Sequence, residues 1–316
     1  MYSYENNNKV RAIIEARRQD ARSLSEARSL EVRALSPEIA EIDEELRLTA
    51  PKILRAACAG EDITPIKERN QLLLKKRREL IVSLGFPEDY TDIKYTCPKC
   101  SDIGFTPDTK ICTCYKSLLI TENIKSSGIG KLIEEQSFEN FSFDVYKDSP
   151  ENFERMKAVF EKAKTFAEEF GRVKGKNLLM IGNTGTGKTH ISTSIAKVVI
   201  EKGYDVLYDS VSNIISAFED DKFRGGYSSG EPKADKYLEC DLLIVDDLGT
   251  EFLTQFTVSC LYNLFTTRKN RGLSTVISTN LNAKQLLEKY EDRIYSRIVG
   301  IDYELLAFVG KDNRLS

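Results

Sequence analysis

Eight consecutive residues, Gly182, Asn183, Thr184, Gly185, Thr186, Gly187, Lys188 and Thr189, satisfy G-x-x-x-x-G-K-[ST] at every fixed position. The glycines of this pattern let backbone wrap closely round a phosphate, and the loop N–H groups with the following helix N-terminus attract its charge. Lys188 is placed to reach the β- and γ-phosphates, and the Thr189 hydroxyl to ligate Mg²⁺. About sixty residues on, Leu242-Leu243-Ile244-Val245 runs into Asp246-Asp247. Those carboxylates end an apolar strand, at the edge where open α/β sheets bind their ligands. Asp246 suits magnesium held through water, and Asp247 suits orienting or deprotonating the attacking water. The chemistry predicted is ATP hydrolysis with Mg²⁺. Asn280 offers a carboxamide to sense or position the γ-phosphate. Arg293 and Arg297, one helical turn apart on one face, offer guanidiniums to a neighbouring subunit's ATP, where charge grows in the transition state.

A second cluster asks for different chemistry. Cys97, Cys100, Cys112 and Cys114 follow C-x₂-C-x₁₁-C-x-C in a chain with 7 cysteines. Two close thiolate pairs separated by a loop with Gly104 and Pro107 can bring four sulfurs into a tetrahedron, a closed structural zinc site. A C-x-x-C pair alone also fits a redox couple or part of an iron–sulfur site; four cysteines in this order favour Zn²⁺. His190, the only histidine, lies in the helix after the phosphate loop, out of reach of the thiols, and reads as a packing or surface residue.

The elements that position these groups differ along the chain. Residues 1–94 carry a helical period: Val10, Ile13, Ile14, Ala21 and Leu24, then Leu35, Ile39, Ile42 and Leu46, recur at three- and four-residue steps. Ser36-Pro37 predicts a break and a new helix, and Thr64-Pro65 a third, ended by Gly85 and Pro87. The thiols define a module at 95–116, and a polar linker follows over 117–137. Over 138–316 the apolar runs NLLMIG, DVLYDSV, DLLIVDD, STVISTN and YELLAFVG alternate with amphipathic stretches, which predicts a parallel α/β sheet covered on both faces. Between the second and third runs, Lys222-Phe223-Arg224 followed by two glycines combines cations, an aromatic ring and flexible backbone, a composition suited to single-stranded DNA.

Motifs across the C-terminal part, DDLGTE, STNL, DRIYSRIVG and YELLAFVGKDNRLS together with the phosphate loop, resemble the AAA+ ATPases of the DnaC/DnaI type, loaders of a hexameric replicative helicase. The resemblance runs from about residue 138 to the C-terminus, and the cysteine cluster extends it to about residue 96. It implies an AAA+ core, with Asn280 as sensor 1, Arg297 with Arg293 beside it as the arginine finger, and Arg314 in a sensor-2-like place. The chain stops just after Arg314, so no C-terminal helical lid is expected. Many relatives carry Glu where Asp247 stands; aspartate is one methylene shorter. By resemblance, too, the N-terminal helices hold the helicase, the 222–224 region meets single-stranded DNA, and subunits associate through the ATP site. Transposition regulators of the IstB type share the motor core and generally lack the cysteine segment. They form the alternative reading, beside a nucleotide-binding adaptor that does not hydrolyse.

Composition frames these readings. A chain of 316 residues is long enough for two domains, and a formal net charge of −3 makes no global case for nucleic acid, so any such contact must be local. No apolar run spans a bilayer and the first residues lack a secretory signal, so a cytoplasmic protein with no membrane partner is expected. In that compartment clustered thiols mean metal or redox chemistry before disulfides.

Overall fold

The structure, a computed structural model, describes residues 3–147, 149–223 and 232–310. It divides into two compact units, Arg11–Lys116 and a larger one that joins Met1–Val10 to Ser117–Ser316.

In the larger unit the five apolar runs form β1 (Asn177–Ile181), β2 (Val206–Ser210), β3 (Leu242–Leu248), β4 (Ser274–Thr279) and β5 (Tyr303–Ala307). They lie in one sheet of order β2-β3-β4-β1-β5, every pairing parallel. Successive strand residues face opposite ways, and both faces here are covered, which is why the runs are continuously apolar. Leu242 and Ile244 join Leu178, Met180 and Val276 in one core cluster, while Leu243 and Val245 join Leu179 and Ile277 in the other. The first cluster is closed by α7 (Pro150–Glu169) and α8 (Lys188–Glu201) through Met156, Phe160, Ile191 and Ile195. The second is closed by α9 (Val211–Phe223), α10 (Asp235–Glu239), α11 (Gln255–Arg271) and α12 (Ala283–Ile298). Each fully buried Leu, Ile or Met contributes roughly 1.5–3 kcal/mol through lost apolar exposure. The order, with the phosphate-loop strand between β4 and β5, is that of an AAA+ P-loop core.

The first unit begins in α1 (Tyr4–Leu35) and continues through α2 (Pro37–Arg47), α3 (Thr49–Ala59) and α4 (Thr64–Ser83). Ser36 caps α2 as its spacing predicts, accepting from the Ile39 amide at 3.4 Å. Thr64-Pro65 opens the fourth helix rather than the third, because the chain also breaks at Leu48, before α3. Leu24 and Leu35, expected on the buried stripe, are exposed; Val32, Ile39 and Ile81 form the fully buried centre instead. Arg33 and Arg77 converge on Asp43, each at 2.6 Å. Burial of Asp43 opposes ionisation, but hydrogen bonds from both guanidiniums outweigh it and hold the carboxyl below its ordinary range.

The stretch 117–137 carries most of α5 (Thr113–Ser126) and all of α6 (Leu132–Glu135), and Ile129 and Ile133 enter the first core cluster. Among the described residues no helix is long and apolar enough to cross a membrane.

Candidate nucleotide and metal sites

The phosphate loop joins the end of β1 to α8, and local sterics explain its glycines. Gly187, the α8 N-cap, has φ 87°, and a Cβ there would lie 2.9 Å from the Tyr146 hydroxyl. That hydroxyl donates to the Thr186 carbonyl at 3.0 Å, so the FENFSFDVY segment buttresses the loop from below. Lys188, 7% exposed, donates from Nζ to the carbonyls of Gly182 (2.7 Å) and Asn183 (2.8 Å) and to Asn280 Oδ1 (2.8 Å). The Asn280 amide in turn reaches Asp247 Oδ1 at 3.4 Å.

Asp246 ends the regular part of β3 with both carboxylate oxygens engaged: Tyr208 Oη donates to Oδ2 at 2.7 Å and Ser278 Oγ donates to Oδ1. Burial is the main cause that pushes the Tyr208 phenol far above its ordinary pKa, so it stays a donor. Asp247 follows at φ 55°, left-handed for a non-glycine residue, where the β3–β4 register shifts between Val245 and Leu248. This bulge turns the second carboxylate away from the strand's alternation. The Asp247 amide donates to Ser278 Oγ at 3.1 Å, and Thr250 donates to the Asp247 carbonyl.

A cavity of about 570 Å³ is lined by Thr184, Gly185, Gly187, Lys188, Thr189, Asp246, Asp247 and Asn280, and also by Gln136 and His190. The sequence-predicted loop, carboxylates and asparagine therefore meet in one place. Among its oxygens, the Thr189 hydroxyl and the Asp246 carboxylate fit the chemistry of Mg²⁺, which keeps several waters and takes few protein ligands. Gln136 was not legible as a lining residue, and His190 does more than pack. With two acceptor oxygens facing it, Ser137 O at 2.8 Å and Asn140 Oδ1 at 3.1 Å, His190 Nε2 carries the hydrogen. It thereby pins the segment that precedes the sheet to the first turn of α8.

Neither arginine of α12 lines that cavity. Arg293 and Arg297 both stack their guanidiniums over Tyr262 of α11, at 4.7 and 5.4 Å from the ring centroid, and Arg297 donates to the Tyr262 hydroxyl at 3.2 Å. That donation holds the phenol below its ordinary pKa. Lys222, near the end of α9, has its ammonium 4.5 Å from the centroid of Phe256. The Phe223 side chain, Arg224 and Arg314 lie outside the described residues.

The four thiol sulfurs lie within 4.8 Å of one another. Cys97 and Cys112 are 3.8 Å apart and Cys100 and Cys114 3.5 Å, all four free of disulfides. Four sulfurs bound to one zinc stand about 3.8 Å apart, so the set fits that ion. The knuckles are built locally. Asp102, 2% exposed, accepts the amides of Thr96 and Cys97, and the Gly104 amide donates to Cys100 Sγ at 3.4 Å.

The replicative helicase loader DnaC of Escherichia coli K12 is 25% identical over 184 residues, 58% of this chain and 71% of the loader. A putative insertion sequence ATP-binding protein of Sinorhizobium fredii is 33% identical over 107 residues, 34% of this chain and 35% of that protein. The crystal structure of the DnaC helicase loader superposes with TM-score 0.45 at 23% identity, covering 54% of this chain and 98% of that one. The helicase-loader resemblance of the motifs thus holds at the level of sequence. The profile of the IstB-like ATP binding proteins matches residues 127–298, more than half of the chain and inclusive of loop, carboxylates and Asn280, and to that family the chain belongs.

Proposed function

We propose that this protein is an ATP-dependent loader of a replicative DNA helicase, which binds and hydrolyses ATP and contacts single-stranded DNA. The observation that carries the ATPase half is the meeting of Lys188, Thr189, Asp246, Asp247 and Asn280 round one cavity. Lys188 binds the β- and γ-phosphates, Thr189 and Asp246 would hold Mg²⁺, and Asp247 orients the attacking water and accepts its proton. When bound, Mg²⁺ neutralises phosphate charge. Asn280, hydrogen-bonded to both Lys188 and Asp247, places the γ-phosphate between them. Arg297, with Arg293 beside it, serves as the finger for the ATP of an adjacent subunit. Residues 138–316 form the motor, 117–137 its connection, 95–116 a Zn²⁺ module and 1–94 the surface that holds the helicase; Lys222, Phe223 and Arg224 meet DNA, and Arg314 serves as sensor 2. The cysteine module supports loading over transposition. A reading as a transposition regulator is supported by the IstB-like family and by the insertion sequence relative.

Co-purification with a replicative helicase in ATP and in ADP tests the proposal, together with turnover measured with and without single-stranded DNA. Nucleotide-dependent capture of the helicase is expected. Capture of a transposase in its place would favour the second reading, and bound ATP without turnover would leave an adaptor.

A further inference from the structure

Asp246 has both oxygens fixed, and its two donors come from different strands. Ser278 belongs to β4, beside β3 and inside the sheet, whereas Tyr208 belongs to β2, the outermost strand on that side. An edge residue is held on one side only unless something covers it. On its inner side Tyr208 pairs with Ile244 of β3. On its outer side its amide donates to the Ser127 carbonyl at 2.7 Å, just past the end of α5. The covering segment is itself anchored, since Asn123, fully buried, donates to the Tyr204 carbonyl at 2.7 Å. Gly128 has φ +80°, and its missing side chain makes room for the Tyr208 carbonyl, which a Cβ would strike.

We propose that Tyr208 is a positioning residue for the Asp246 carboxylate, and that the 123–128 segment clamped on the edge of β2 sets the position of Tyr208. The inference rests on the ATP-hydrolysing reading of the cavity and adds what holds its metal-facing carboxylate. A carboxylate has about four lone-pair directions. With one on each oxygen taken by a fixed donor, the carboxylate is held against rotation, and its remaining lone pairs would be available to the shell of a bound metal. Groups that orient a metal's ligands in this manner are typically worth 10–100-fold in metal affinity.

The test is an equilibrium titration of a fluorescent ATP analogue against Mg²⁺, which reads binding without turnover. Tyr208→Phe keeps the ring and removes the donor. It should raise the Mg²⁺ concentration for half-saturation about tenfold, while nucleotide binding in EDTA and the thermal midpoint stay near wild type. Asp246→Asn should raise it as well, and Tyr208→Phe added to Asp246→Asn should raise it no further, because no carboxylate is left to position. Gly128→Ala, remote from the cavity, should shift the requirement in the same direction as Tyr208→Phe. A wild-type Mg²⁺ requirement in Tyr208→Phe, or multiplying effects in the double variant, would overturn the role of Tyr208. An unshifted Gly128→Ala would remove the part given to the covering segment. Wild-type protein without Mg²⁺-dependent nucleotide binding would instead defeat the ATPase reading itself.

Discussion

Lys188 is ringed by carbonyl and carboxamide oxygens with its stem buried, so its ammonium is fixed over the loop before any phosphate chemistry is considered. Lys188→Ala should therefore abolish binding of a fluorescent ATP analogue, while metal content per chain, set by thiols in the other unit, stays constant. Loss of both together would count against independent units. Asp205 offers a pH test. Burial, then the neighbouring Asp241 carboxylate, raises its pKa from 3.8 to about 6. Between those values the folded state holds a proton that the unfolded chain releases, so stability falls as pH rises from about 4 to about 6 and does not recover above. Asp205→Asn removes this penalty, so its denaturant midpoint should exceed wild type at pH 7.5, with the gap narrowing toward pH 4.

At the scale of elements, two staples stand out. Arg268 of α11, 1% exposed, donates to the carbonyls of Tyr237, Cys240 and Ser274 and to Thr275 Oγ1, tying α10, α11 and the entries of β3 and β4 together. Arg268→Met keeps an unbranched apolar stem but strips these donors. A loss of about 3 kcal/mol in urea unfolding is expected, in line with charge-assisted bonds and buried acceptors left unmet; a neutral result would mean that the carbonyls find other partners. The second staple is the cysteine module, whose sole bridge pairing among the described residues is Phe105 with Ile111. Short-range backbone bonds such as Cys112 N–H to the Gly104 carbonyl and Thr106 N–H to the Lys110 carbonyl shape it, and a metal bound by the four thiols would stabilise that arrangement further. Cys100→Ser should drop zinc content well below one per chain and expose 96–114 to protease, whereas iron with visible absorbance in wild type would overturn the ion's identity.

For the whole molecule, the decisive matter is assembly. Arg293 and Arg297 share Tyr262 on the α11–α12 surface and leave their own cavity to other residues. As the proposed finger, Arg297 would act between subunits, where charge grows on a neighbour's γ-phosphate. Arg297→Ala should bind ATP as wild type does, yet lose most turnover stimulated by single-stranded DNA. Mixed with Lys188→Ala, it should regain part of that turnover, since one variant brings an intact ATP site and the other an intact guanidinium. Absence of recovery in demonstrably mixed assemblies would leave Arg297 as a partner of Tyr262 alone.

Local chemistry made much of this legible from residues alone. A loop that cradles phosphate needs its glycines, lysine and threonine contiguous, four thiols about one ion need close pairs, and strands covered on both faces need unbroken apolar runs, so each leaves a mark in the linear order. The order of the strands in the sheet, and so the meeting of β1, β3 and β4 at one cavity, depends on which hydrophobic faces find each other across long separations, and tertiary packing decided it. The same holds for Leu24 and Leu35, whose helical period was right but which are exposed among the described residues. The break at Leu48 has a local cause instead, since Pro51 in the first turn of α3 has no N–H to offer the Arg47 carbonyl. Tyr208 and Gln136 were silent for a related reason, as were the bonds that Ser278 of STNL and His190 make. A tyrosine in a strand has no motif, and it joins Ser278 on one carboxylate only when strands and segments far apart in sequence are laid side by side.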